Sequence, residues 1–207
     1  MKLSIYQIDA FAENAFEGNP AAICPLSDWL PDAVMQSIAE ENNLSETAFF
    51  VQSEHDVHIR WFTPTAEVDL CGHATLASAY VLFTFLGYKE KEIMFESKSG
   101  LLRVANKDGL LVMDFPSQPA NKCETPENIV QAFNITPVEC LKAEDYIVVF
   151  SSEEEVRSAQ PNYEALKELD LRGVAITAKS DEYDFVARFF APKYGINEDP
   201  VTGSAYT

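Results

Sequence analysis

VHIRWFTP (Val57–Pro64) and FVARFFAP (Phe185–Pro192) align without a gap, placing Arg60 on Arg188, Phe62 on Phe190 and Pro64 on Pro192. Both are short runs rich in aromatic and β-branched residues, and both read as strands closed by proline. An acidic, irregular stretch follows each, and then a run of small residues marked by glycine. These are EVDLCGHATLASA after the first and NEDPVTGSAYT after the second. Eight residues of weak similarity mean little alone. The same order of strand, loop and Gly-marked helix start on both sides makes them an internal repeat. The chain therefore reads as two similar halves, residues 1–117 and 118–207, joined where Pro116 and Pro119 flank Ser117 and Gln118.

Outward from the first copy, Leu3 to Phe11 alternates as a strand. The Gly18-Asn19-Pro20 turn leads to a short strand, Ala21 to Cys24. Pro31 and Asp32 open a helix that runs to about Asn42, and Thr47 to Gln52 is a strand. Gly72 to Leu86, ended by Gly87, is apolar nearly all round, so as a helix it must be enclosed. Strands at Glu92–Ser97, Leu101–Ala105 and Leu110–Phe115 are placed to wrap it. The second half shows a helix at Asn128–Phe133, a strand at Asp145–Phe150 and one or two polar helices within Ser152–Leu169. Strands follow at Val174–Ala178 and Phe185–Phe190. The chain stops as the second Gly-marked helix begins. A buried helix without its cover would expose a large apolar surface, so the second half is expected to be truncated and the natural protein to continue past Thr207.

The bulk numbers limit the function classes. A net charge of −18, with no Lys/Arg run, argues against nucleic acid or an anionic membrane as partner. The longest strongly apolar stretch, Ala74–Leu86, is too short to span a bilayer, and the N-terminus lacks a signal-peptide core. Cys24, Cys71, Cys123 and Cys140 form no CxxC pair and read as reduced thiols of a cytoplasmic protein. No Walker A or G-x-G-x-x-G segment is present, so nucleotide cofactors have no footing.

Several residues could carry chemistry, each with a plainer alternative. Gly72 and Gly203 mark two helix starts whose N–H groups suit a carboxylate in a cleft between the halves, or they merely permit close packing. Glu46, in NLSETAFF, is a general acid/base partly desolvated by Phe49 and Phe50, or a solvated junction residue. His73 is a neutral donor or relay at the start of the apolar helix, or a structural cap. Asp199 and Ser204 are an acid/base and a carboxylate-binding hydroxyl, or caps of the second helix. Ser204 lacks the nucleophile-elbow context of a hydrolase. His55 and His58 have no matching ligands nearby, so no metal site is expected.

At these residues the chain resembles the phenazine-biosynthesis PhzF-like isomerase family, which shares the diaminopimelate epimerase-like fold. The matching segments are DAFAENAFEGNPAAIC, NLSETAFF, WFTPTAEVDLCGHATLASA and EDPVTGSA, in that order. The resemblance implies an α+β protein whose halves are barrel-like, mostly antiparallel sheets round a central helix. It implies a homodimer that needs no metal or organic cofactor. It also implies a proton shift on a small carboxylate-bearing substrate: Glu46 as acid/base, His73 and Asp199 at its side, and Ser204, Gly72, Gly203 and Asn19 binding substrate. Related epimerases use two thiols; Cys71 is present but EDPVTGSAYT has none, which disfavours a two-thiol racemase. An epimerase or lyase using the same carboxylate, and a non-catalytic metabolite-binding protein, are the alternative readings.

Overall fold

The computed structural model describes every residue except Met1, Ala15, Glu54, His55, Pro116 and Thr207, and omits the Tyr206 side chain. The described residues form two compact units, Met1–Phe115 and Pro116–Thr207.

The first unit is built on strands β1 (Tyr6–Ala10), β2 (Asn19–Leu26), β3 (Glu46–Gln52), β4 (Val57–Phe62), β5 (Glu67–Val68), β6 (Glu92–Ser97), β7 (Gly100–Lys107) and β8 (Leu110–Asp114). They form one sheet in the order β1-β2-β3-β4-β6-β7-β8, with β5 alongside β4. The β2–β3 and β4–β6 pairs are parallel and the rest antiparallel. Each parallel pair needs a crossover, and helices supply both. Helix α1 (Asp32–Asn42) joins β2 to β3, and α2 (Gly72–Thr84) lies between β5 and β6. Pro31 is the N-cap of α1, and Asn43 ends it in the left-handed region at φ 50°.

The sheet curls round α2, which touches β1, β2, β3 and β8. Its Ala74, Ala77, Ala79, Val81 and Leu82 are buried with Ala21, Ile23, Ala48, Phe50, Ile59, Trp61, Phe95 and Val104 from the surrounding strands. The many alanines let the sheet approach the helix axis closely. The enclosure is incomplete: Tyr80 is exposed, and the helix ends at Thr84 rather than Leu86. Gly87, at φ +68°, then turns the chain out and lets the Tyr88 N–H reach the Leu82 carbonyl. The other sheet face packs α1 through Met35 and Ala39 against Cys24, Phe49 and Phe62.

In the second unit a six-stranded sheet runs β14-β13-β12-β11-β10-β9. The strands are β9 (Asn121–Lys122), β10 (Glu139–Lys142), β11 (Tyr146–Val149), β12 (Val174–Lys179), β13 (Phe185–Ala191) and β14 (Ile196–Asp199). Helices α3 (Glu127–Phe133), α4 (Glu153–Ser158) and α5 (Tyr163–Lys167) cover one face through Ile129, Phe133, Val156 and Leu166.

The repeat is visible as topology. β10 to β14 pair in the same senses as β1 to β5: antiparallel, parallel, antiparallel, antiparallel. Side chains repeat as well. Arg60 on β4 lies 5.2 Å from the Phe62 ring and forms paired bonds to Glu67 on β5. Arg188 on β13 lies 5.1 Å from the Phe190 ring and forms paired bonds to Glu198 on β14. The acidic stretch after each repeat thus supplies the carboxylate that holds its arginine.

Some expectations shift. The strands β5, β9, β10 and β14 were not legible, being either two residues long or polar, as in INED of β14. Gly203 opens only a single 3-10 turn, Gly203–Tyr206. No helix among the described residues is long and apolar enough to cross a membrane.

Candidate active site

In the first unit four of the expected residues, Asn19, Glu46, Gly72 and His73, lie at one end of the sheet with a fifth, Cys71. Cys71 is the N-cap of α2, Gly72 its first residue and His73 its second. Glu46 is the first residue of β3, paired with Ala21 of β2. Side chains on a strand alternate faces, so Glu46 shares the inner face with Ala48, and Asn19 shares it with Ala21. Both alanines pack in the core around α2. The carboxylate, the fully buried Asn19 and the helix start therefore belong to one end of the curled sheet.

The imidazole of His73 lies between two partners. Its Nε2 is 3.4 Å from Glu46 Oε2, and its Nδ1 is 3.5 Å from Cys71 Sγ. The His73 side chain is 6% exposed and that of Glu46 13%. Burial lowers the His73 pKa to about 4, so the ring is neutral near pH 7. A neutral imidazole carries one N–H. Nδ1 is within hydrogen-bond reach of the Cys71 thiol, while Nε2 faces Glu46 at 3.4 Å without making a hydrogen bond to it.

Glu46, Cys71 and His73 also form a group whose potential metal-ligand atoms all lie within 4.8 Å of one another. His58, the other described histidine, pairs with Glu96 at 3.2 Å on the surface; His55 and Pro116 lie outside the described residues.

Gly72 has a packing explanation. A Cβ there would stand 3.0 Å from the Phe115 ring and 3.7 Å from the Met113 methyl. Side-chain hydroxyls tie the helix start down: Thr75 Oγ1 donates to the Cys71 carbonyl at 2.6 Å and Ser78 Oγ to that of Ala74 at 2.7 Å.

The remaining expected residues lie in the second unit. Asp199 ends β14, and its carboxylate accepts from the Thr202 hydroxyl, closing the turn before Gly203. Ser204 Oγ accepts from Arg172 Nη2 at 2.9 Å. Arg172 also pairs with the buried Asp145 and lies 5.4 Å from the Phe189 ring. Arg172 and Asp145 escaped the sequence reading because they sit 27 residues apart and neither belongs to a motif. Cys71 was read as a reduced thiol near the first helix start and weighed only against a two-thiol racemase; its place two residues before His73 was the available signal for a role beside the ring.

Comparison with known proteins follows the same residues. The family model for "Phenazine biosynthesis-like protein" matches residues 8–207. An uncharacterized isomerase of Pseudomonas aeruginosa is 51% identical over 207 residues, covering 100% of this chain and 80% of that protein. The human phenazine biosynthesis-like domain-containing protein is 39% identical over 235 residues, covering 100% of this chain and 81% of that one. Among solved structures, a PhzF-family phenazine biosynthesis protein of Enterococcus faecalis superposes with a TM-score of 0.95 at 47% identity, covering 100% of this chain and 80% of that one. A predicted epimerase of P. aeruginosa shares the fold, with a TM-score of 0.73 at 23% identity over 99% of this chain and 79% of that one.

Proposed function

Because this chain belongs to the phenazine biosynthesis-like protein family, we propose that it is an isomerase that shifts a proton on a small carboxylate-bearing metabolite by side-chain acid/base chemistry. The observation that carries this reading is the Glu46–His73–Cys71 array, in which a mostly buried carboxylate faces a neutral imidazole 3.4 Å away. Relatives named as isomerases cover the whole chain, which supports the reaction class.

In this reading Glu46 removes a proton from carbon next to a carboxylate or unsaturated system and returns it to another carbon. His73 steadies the carboxylate when it is charged and relays a proton when it is not. A general base positioned this way contributes roughly 10²–10⁴-fold to rate. Asn19, Gly72, Asp199, Gly203 and Ser204 enter as substrate-handling residues on the strength of the family motifs.

The test is incorporation of deuterium from heavy water into a panel of small unsaturated and amino carboxylic acids, followed by NMR and chiral chromatography. Wild-type protein is expected to give a positional isomer carrying deuterium, and Glu46→Gln to lose at least about 100-fold. Inversion at the labelled carbon would instead make it an epimerase. No turnover by wild type, with equal ligand binding by Glu46→Gln, would overturn an enzymatic role.

A further inference from the structure

Two thiols that the proposed chemistry does not use meet at the edge of the second sheet. β9 pairs with β10 through Lys122↔Leu141 and Asn121↔Lys142. One step further along this register, Cys123 faces Cys140, and the Cys123 N–H donates to the Cys140 carbonyl at 3.0 Å. Their sulfurs are 3.6 Å apart, with the Cys123 thiol directed at Cys140 Sγ. Residues directly opposed across an antiparallel pair project to the same side, as a disulfide requires. Contraction from 3.6 Å to a bond of about 2.05 Å asks for side-chain rotation and a small shift of an edge strand.

The pair is asymmetric. Cys140 is 3% exposed, whereas Cys123 is partly exposed. Burial, and then the bond from Cys123, push the Cys140 thiol up to about 12. Cys123 is thus the sulfur that a reagent in solution reaches first, and Cys140 the one held in wait.

We propose that Cys123 and Cys140 form a redox modification site, a dithiol that exchanges with a low-molecular-weight disulfide to give an intramolecular Cys123–Cys140 disulfide. The Cys123 thiolate attacks one sulfur of the reagent RSSR, breaking its S–S bond and releasing RS⁻. Cys140 then attacks the Cys123 sulfur, and its proton leaves with the second RS⁻ as RSH. In total the protein loses two protons and two electrons, and RSSR becomes two RSH. The new bond staples the two-residue strand β9 to β10 across the segment that carries α3. Excess thiol reverses it. The proposal stands on this geometry and does not depend on the acid/base reading of the first unit.

The reduced full chain, freed of reductant, is incubated without oxygen in excess oxidised glutathione, then unfolded and alkylated. Two of the four cysteines should resist alkylation. Cleavage after Glu124, Glu127 and Glu139 should give fragments linked through Cys123 and Cys140. Cys123→Ser should keep its three thiols, and Cys140→Ser should accumulate glutathione on Cys123. Oxidised wild type should melt about 5 °C or more above the reduced form. Four alkylated cysteines after treatment, or a link through Cys24 or Cys71, would overturn the site. An unchanged melting temperature would overturn the staple, and no adduct on Cys140→Ser would overturn the order of attack. Circular dichroism of the two variants guards against misfolding.

Discussion

At His73 burial fixes the protonation state on which the chemistry depends. The ring is nearly enclosed, so protonating it in the folded state costs more than in the unfolded chain, and its pKa is lowered to about 4 from the usual 6.5. The unfolded chain binds the proton first, so the folded state loses stability as pH falls from about 6.5 towards 4. Complete protonation removes about 3 kcal/mol, the free-energy equivalent of that shift. Urea unfolding of the full chain between pH 7 and pH 4 should show this fall, and His73→Asn should flatten it. A wild-type profile as flat as the variant's would mean that the ring is not desolvated. The same burial keeps a neutral imidazole beside Glu46, so one environment serves both stability and proton handling.

At the scale of elements, the repeated arginine clamps give the short acidic stretches next to β4 and β13 a structural role. Glu67 is held at a pKa of about 2, chiefly by the bond from Arg60, with burial opposing and Lys98 assisting. Its contribution is present above the ordinary carboxyl range and is lost as pH falls through about 2. Glu67→Gln is expected to cost about 1–3 kcal/mol at pH 7 by chemical denaturation, and much less at pH 2. An equal loss at both pH values would mean that shape rather than charge holds the clamp. β5 shows why this element was hidden from sequence: it has two residues, too few for a period, and exists because Glu67 is drawn to Arg60. α2 is the opposite case, since its apolar run announced both the helix and its burial.

For the molecule as a whole, each unit has its own apolar core, and the first encloses α2 with strands drawn only from Met1–Phe115. Residues 1–115 expressed alone should therefore melt cooperatively, with Cys24 and Cys71, both buried, resisting thiol reagents until the transition. Labelling of both at native temperature would mean that this core needs the rest of the chain. The repeat and the apolar helix could be read from sequence, because periodicity and local composition record which faces are buried, whereas the α+β class and the acid/base candidacy of Glu46 and His73 came with the family motifs. Gly72 was legible both as a motif member and as a possible close-packing point, whereas Asn19 was legible as a motif member but not as a buried side chain. The carboxylate–imidazole–thiol array, the Arg172–Asp145 pair at Ser204 and the facing of Cys123 and Cys140 were decided only by tertiary structure. Each depends on strand register and on how far a helix start sits from a strand end. Those distances are set by packing between segments tens of residues apart, which no local pattern encodes.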